Sequence, residues 1–390
     1  MRILLAGGAV RDRLLGRPVT DRDFLVLEAT REEFLSRFPR AKAVGKAFPV
    51  FILNGSEYAF PRGTTADGGP NGSPDDGLAT DLTVDLALRD LTVNALAQEE
   101  DGTLHAHPLA LQDLKDRVLR PASERSMSDD PLRVFRAARF LAELEDFTAH
   151  PDLLTAMDRT AASGSLSQAT ADRVGAELRK ALRAPRPGRF LELLDQAGCL
   201  APWFAELAQA SKIPAGPQPF HQADVLTHVR EVMDRLAGDE LAGYMALCHD
   251  LGKTLTRPED WPRHIGHETR GAPLAQALGE RLRLPAAFIK AGVLAARWHM
   301  IAARYPGLRP GTKTDLLMLL HSTGLCREMF RLARADHGHD HLEEALADTE
   351  TILQVTLEQE DKNQGQSSGL KLRQLRSQAL AAWDRPPPRP

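Results

Sequence analysis

The run RILLAGGAVRDRLLGRPVTDRDFLVL, residues 2–27, decides the fold of the first part of the chain. Arg2 to Ala6 is apolar and reads as a strand, Gly7-Gly8 as a tight turn, and Ala9 to Leu15 as a short helix stopped by Gly16 and Pro18. Asp21-Arg22-Asp23 then opens a second strand that continues from Phe24 to Leu27. A strand, a glycine turn and a helix start together place backbone N–H groups where an anionic phosphate is favoured. Gly8 lets the phosphate approach, and Arg11 can add a charge-assisted bond. In an extended strand Asp21 and Asp23 share one face about 6–7 Å apart while Arg22 points away. Carboxylates so placed can share one or two Mg²⁺ ions, as in-line nucleotidyl transfer requires. A structural turn and two solvated strand-end aspartates are the ordinary alternatives when either feature stands alone.

Around this run, 390 residues suggest two or three domains. Lys and Arg total 49 against 53 Asp and Glu, a formal charge of −4, so any surface that attracts nucleic acid must be local. Cys199, Cys248 and Cys326 match no disulfide framework or zinc spacing, which points to a reducing compartment. The absence of a signal-like start and of a long apolar run leads us to expect a soluble, cytoplasmic protein with no membrane partner. Pro61 to Ala79, with five glycines and three prolines, reads as a surface loop. Glu99-Glu100-Asp101-Gly102 reads as a hairpin turn flanked by Leu96 and Leu104. After Asp130 the periodicity is helical, with Asp130 and Pro131 as cap and first turn of a helix to Leu144. Pro214 to Pro219 is a break, Thr256 to Gly271 an interruption, Asn363 to Gly369 a linker, and Pro386 to Pro390 a frayed tail after a last helix ending near Trp383.

Four stretches occur in order: GGAVRD (7–12), DRD (21–23), RDLTVNA (89–95) and DDPLRVFRAARF (129–140). They resemble the class II tRNA nucleotidyltransferases, that is the CCA-adding enzymes and bacterial poly(A) polymerases. The resemblance implies that Asp21 and Asp23 are catalytic Mg²⁺ ligands, that Gly8 and Arg11 hold the triphosphate and that Arg89 helps bind the nucleotide. It also implies that Asp130 and Arg133 read the base edges of CTP and ATP as a protein template, with Arg136 and Arg139 completing the pocket. At about 100° per residue, Arg133 and Arg136 fall within roughly 40° of Asp129, and Asp130 is about 60° from Arg133. The plainer alternatives are a cap at Asp130 and an Arg133–Asp129 pair. Three departures from the family stand out: Asp129 where Glu is usual, Arg62-Gly63-Thr64 without the loop carboxylate, and Ala87-Leu88 where basic residues usually precede Arg89.

Further on, Arg179, Lys180, Arg183 and Arg186 form a local basic surface suited to the phosphates of a tRNA acceptor arm, or else a solvated charged helix. His228, then His249-Asp250, then Asp336 follows the H…HD…D order of HD-domain metal phosphohydrolases, with His267 and His299 between as possible further ligands. Lys253 could contact a phosphate. Trp261-Pro262-Arg263-His264 reads as loop, which sets His264 apart, and His337, His339 and His341 read as a polar helix end. The match extends through the helical body and the HD segment, and resembles the long bacterial multifunctional enzymes.

The expected fold is α+β: an N-terminal nucleotidyltransferase head with a small mixed sheet (1–128), an all-α neck and body (129–213), an all-α HD domain (214–345) and a helical tail (346–390). The expected activity is template-independent addition of C, C and A to tRNA 3′ ends from CTP and ATP with Mg²⁺. The HD domain is expected to use a divalent transition metal such as nickel, manganese or cobalt on 2′,3′-cyclic nucleotides, 2′-nucleotides and phosphates. The protein would be a monomer or homodimer. The rivals are a CC-, A- or poly(A)-adding enzyme of the same fold, or an HD hydrolase whose head only binds RNA.

Overall fold

The computed structural model describes residues 1–44, 50–61, 82–217 and 223–382. Arg62-Gly63-Thr64, nearly all of the glycine-rich stretch, and everything from Trp383 onward therefore lie outside the described residues. The chain divides into two compact units, 1–177 with 192–202, and 178–191 with 203–390.

The first unit is built on a seven-stranded mixed sheet. Its elements are β1 (Arg2–Ala6), α1 (Gly8–Leu14), β2 (Asp23–Leu27), α2 (Arg31–Arg37), β3 (Lys42–Val44), β4 (Val50–Leu53), β5 (Ser56–Ala59), α3 (Leu82–Ala87), β6 (Leu96–Gln98) and β7 (Leu104–Ala106). The order across the sheet is β3-β4-β5-β2-β1-β6-β7, and only β2 and β5 are parallel neighbours. Strand alternation sends Leu4, Ala6, Leu25, Leu27 and Ala97 to one face, against Leu82 of α3. Val26 and Phe51 join Phe34 of α2 in a second cluster. The expected hairpin is present: Gln98 pairs with Leu104, and the Glu99 N–H donates to the Thr103 carbonyl at 2.9 Å.

The β1–β2 ladder pairs Arg2 with Leu27 and ends at Ala6 opposite Asp23. The chain then turns at Gly7, whose φ of 69° belongs to the left-handed region that favours glycine. The second strand consequently begins at Asp23, not Asp21. Asp21 lies just before it, so the same-face argument for i and i+2 does not apply. The ladder's end sets Asp23 beside the Gly7-Gly8 turn.

Helices α4 (Ala110–Lys115), α5 (Ser126–Asp129), α6 (Leu132–Glu143) and α7 (Pro151–Ala162) follow, together with the short pair β8 (Val118–Leu119) and β9 (Thr148–Ala149). The cap position of α6 falls at Pro131, one residue later than expected, while Asp130 Oδ1 accepts from the Leu132 N–H at 3.1 Å. The chain continues through α8 (Ala171–Leu182) and α9 (Gly188–Gln196).

The second unit is helical: α10 (Val225–Arg235), α11 (Glu240–Cys248), α12 (His267–Arg281), α13 (Ala286–Ala303), α14 (Pro310–Thr323), α15 (Cys326–His337), α16 (Leu342–Gln354) and α17 (Gln366–Ala382). Two expected boundaries move. The interruption after Thr256 ends at Gly266, since α12 starts at His267. The expected linker from Asn363 shrinks to its first three residues, because α17 starts at Gln366 and packs on α14 and α16. Arg373 bridges to Asp315, and Arg376 donates to the Ile352 carbonyl; tertiary contacts of this kind override weak local propensity. The three cysteines are unpaired, and burial pushes the Cys199 and Cys248 thiols up to about 12 and Cys326 to about 11. Among the described residues no helix is long and apolar enough to cross a membrane.

Candidate active sites

In the first unit the site grows from the Gly7 turn. A Cβ at Gly7 would stand 3.0 Å from Arg89 Nη1, so the absence of a side chain there lets the guanidinium rest against the turn. Arg89 is held by Asp85 Oδ2, 3.2 Å from both Nε and Nη2. Arg11 projects from α1 beside Gly8, where a Cβ would meet its Nη2 at 3.4 Å. Asp21 and Asp23 are both exposed, and Asp23 sits one ladder position from the turn. Hard carboxylate oxygens open to solvent suit Mg²⁺, which keeps several waters when bound.

Beneath this rim runs a buried polar network that the sequence did not single out. Arg11 Nη1 donates to Asn94 Oδ1 at 2.7 Å, and Asn94 Nδ2 donates to Asp90 Oδ1 at 3.2 Å. Asp90 Oδ2 accepts from Arg136 Nε at 2.8 Å. Burial opposes ionisation of Asp90, but Arg136 and Asn94 outweigh it and hold the carboxyl well below its usual range. Arg136 is correspondingly raised, chiefly by Asp90. The Phe140 ring lies under three guanidinium groups, at 5.1 Å from Arg11, 5.7 Å from Arg136 and 4.0 Å from Arg139. Asp90, Asn94 and Phe140 stand in the quoted motifs, yet their partners lie 46 and 83 residues away for the two main bonds.

The proposed template pair is placed differently from the pocket rim. Arg133 is buried and donates to the main-chain carbonyls of Leu88 at 2.8 Å and Ser126 at 3.0 Å. Asp130 Oδ2 accepts from Arg173 Nη2 at 3.2 Å, while its Oδ1 accepts from the Leu132 N–H. Asp129 pairs with Arg125 at 3.4 Å. Arg139 is buried between Glu177 at 2.5 Å and Glu143 at 2.7 Å. Of these arginines, Arg136 keeps about a third of its side chain exposed while Arg133 and Arg139 are nearly enclosed.

In the second unit, six residues converge on one point from four helices and the turn after α11. His228 comes from α10, His249 and Asp250 from the end of α11, His267 opens α12, His299 lies on α13 and Asp336 near the end of α15. His249 Nε2 lies 3.3 Å from His228 Nε2 and 3.1 Å from Asp250 Oδ2. His228 Nε2 is 3.0 Å from Asp336 Oδ1. On the other side of Asp250, His267 Nε2 and His299 Nε2 are 3.4 Å apart, at 3.4 and 3.6 Å from Oδ1. Ligand atoms of His228, His249 and Asp250 form one compact trio, and those of Asp250, His267 and His299 another.

The outer nitrogens explain why a cation fits. His249 Nδ1 donates to the Ala246 carbonyl at 2.7 Å, His267 Nδ1 to His264 at 3.0 Å and His299 Nδ1 to Ala295 at 2.9 Å. With those protons committed outward, each ring, when neutral, turns an Nε2 lone pair inward, the arrangement of a ligated histidine. Facing lone pairs repel unless a positive charge lies between them. Burial works against protonation of His249, but Asp250 and Asp336 raise it to about 9, whereas burial and His249 lower His299 to about 3. The cluster thus gathers cation-seeking groups that cannot all be protonated together. Lys253 Nζ is spent nearby, 2.7 Å from both Asp250 Oδ2 and the Ala215 carbonyl oxygen.

Gly252, inside the HDLGK run, is what admits His267. A Cβ there would stand 1.9 Å from the His267 carbonyl oxygen and 2.6 Å from Gly271 N, so only glycine lets α12 start this close. A cavity of about 90 Å³ opens beside the cluster, bounded also by His264, Lys253 and His337.

The basic surface is less positive than its sequence suggested. Arg179 and Arg183 both bond to Glu240, and Arg186 bonds to Asp234 at 2.9 Å. Lys180, Arg183 and Arg186 are exposed, where such ion pairs are weak.

The profile of the poly(A) polymerase head domain matches residues 3–120, and that of a probable RNA and SrmB binding site of polymerase A matches residues 146–211. The multifunctional CCA protein of Stenotrophomonas maltophilia (strain R551-3) is 42% identical over 328 residues, 81% of this chain and 80% of that protein. The CCA-adding enzyme of Bacillus stearothermophilus, solved in complex with CTP, shares the fold with a TM-score of 0.65 at 23% identity, covering 97% of this chain and 88% of that one. The Thermotoga maritima CCA-adding enzyme complexed with tRNA-CCA does so with a TM-score of 0.61 at 18% identity, covering 99% and 88%.

Proposed function

The chain belongs to the family of multifunctional CCA proteins, and from that membership we propose that it adds C, C and A to tRNA 3′ ends from CTP and ATP. The observation that carries this reading is the end of the β1–β2 ladder, which sets Asp23, with Asp21 just before it, beside the Gly7-Gly8 turn. Asp21 and Asp23 would hold Mg²⁺, which would supply Lewis acidity for attack of the tRNA 3′-hydroxyl on the α-phosphate with release of pyrophosphate. Gly8 and Arg11 face the triphosphate, and Arg89 flanks it across the turn. The Asp90–Asn94 network fixes Arg11 and Arg136 at the nucleotide before it arrives, so ordering them costs little on binding. Asp130 and Arg133 select the base, Arg139 braces Arg136 through Phe140, and Arg179, Lys180, Arg183 and Arg186 meet the acceptor arm.

The histidine cluster is a second, hydrolytic site. His228, His249, Asp250 and Asp336 would hold a divalent transition metal, with His267 and His299 available to a second ion. The mixed imidazole and carboxylate donors favour nickel, manganese or cobalt over magnesium. Metal there supplies Lewis acidity to a phosphoester, and we assign 2′,3′-cyclic nucleotides, 2′-nucleotides and phosphates as substrates. Functionally the chain then reads as head 1–128, neck and body 129–213, HD domain 214–345 and tail 346–390, acting in the cytoplasm as a monomer or homodimer.

Labelled CMP incorporation into a tRNA ending before its CCA tests the head. Incorporation should require Mg²⁺ and stop with excess EDTA; incorporation that persists without free divalent ions contradicts the assignment of Asp21 and Asp23.

A further inference from the structure

The cavity beside the histidine cluster continues onto the outer face of α13, which the metal-ligand reading leaves unused. His299 of this helix belongs to the cluster, and its neighbour Met300 lines the cavity. At about 100° per residue, Lys290, Arg297 and Arg304 fall within roughly 40° of one another, on the face that begins beside Met300 and lies opposite His299. Lys290 and Arg297 are on the helix and Arg304 is its C-terminal cap, and all three are exposed. Successive members are thus about 10 Å apart along the axis. Arg263, also exposed, lines the cavity itself.

These cations are not spent within the fold. The helix contains no Asp or Glu, so no acidic neighbour one turn away balances Lys290 or Arg297. Among the described residues none of the three enters an ion pair. The helix dipole rewards Arg304 at the C-terminus but neither of the other two, which stand inside the helix. Arg179, Arg183 and Arg186 differ in this respect, since each meets Glu240 or Asp234. In a chain of net charge −4, a line of unmatched cations is a local field for an anion.

A line of cations leading away from a phosphoester site fits a ligand whose phosphates repeat, whereas a lone nucleotide reaches only the cavity. We propose that the outer face of α13 is the strand-binding surface of the hydrolytic site: Lys290, Arg297 and Arg304 hold backbone phosphates of an RNA whose 3′-terminal phosphoester lies at the histidine cluster. This rests on the phosphohydrolase reading above. A 2′,3′-cyclic ester needs both ribose hydroxyls, so the strand is RNA. Free cyclic and 2′-nucleotides remain substrates, because they occupy the cavity alone, but with a lower kcat/KM.

The test uses the full-length metal-loaded protein with adenosine 2′,3′-cyclic phosphate and with a single-stranded RNA of about ten nucleotides ending in the same cyclic phosphate. At low salt, wild type should open the RNA ester with a kcat/KM at least about tenfold higher, and three phosphate contacts should take about twentyfold from that value between about 50 and 200 mM salt. Lys290→Ala, Arg297→Ala and Arg304→Ala combined should bring the RNA down to the mononucleotide's kcat/KM and salt dependence, with the mononucleotide rate within about twofold of wild type. Arg297→Lys with Arg304→Lys, which keeps the charge, should retain most of the preference. A wild type that treats the two esters alike, a preference that survives the triple substitution, or an equal loss on both esters overturns the proposal. A metal-loaded wild type that hydrolyses neither ester overturns the phosphohydrolase reading itself, whereas mononucleotide hydrolysis without an RNA preference overturns only the strand-binding surface.

Discussion

Asp21→Ala combined with Asp23→Ala will lower CMP and AMP incorporation on the order of 10³-fold while leaving hydrolysis of adenosine 2′,3′-cyclic phosphate within about twofold. The size follows from removing the metal's charge stabilisation, several kcal/mol at the transferring phosphoryl group, where each 1.4 kcal/mol is tenfold in rate. Both carboxylates are exposed at or before the edge of a strand, so their loss opens no cavity in the cluster formed by Leu4, Ala6, Leu25 and Leu27. Melting temperature should stay within a few degrees, since surface substitutions usually change stability by about 0.5 kcal/mol or less. Retained incorporation would mean that the metal is held elsewhere.

The converse variant, His249→Ala with Asp250→Ala, should remove cyclic-phosphate hydrolysis by a comparable factor and lower transition metal per chain. His249 and Asp250 both belong to the first trio, and Asp250 also belongs to the second, so one double substitution breaks both. Incorporation from CTP should persist, because the head and its sheet contain none of these residues. Hydrolysis and metal content that both survive would show that the cluster is a buried polar network with no ion.

Much of this arrangement is legible in the sequence. Local signals placed β1, its glycine turn and the hairpin at Glu99, because turn chemistry and alternation are written within a few residues. The HD cluster was legible as an ordered set of His and Asp, although its convergence needs the close approach of α12 at Gly252, which a glycine in a loop does not announce. The start of β2 at Asp23 is not legible, because the ladder's end is set by the turn at Gly7, a partner rather than a neighbour in sequence. The anchoring of Arg133 on the carbonyls of Leu88 and Ser126 has no counterpart in the sequence, because main-chain acceptors carry no signature. The basic helix looked unopposed because Glu240 and Asp234 lie 61 and 48 residues from the arginines they meet.

The central claim is that one nucleotidyltransferase head completes a CCA end. Sequencing the 3′ ends of a tRNA that lacks its CCA, after incubation with the purified protein, Mg²⁺, CTP and ATP together, tests it most directly. Products should end in CCA, with CTP alone giving CC and no A run from ATP alone. Products that stop at CC with both nucleotides present, or that carry only poly(A), would contradict it.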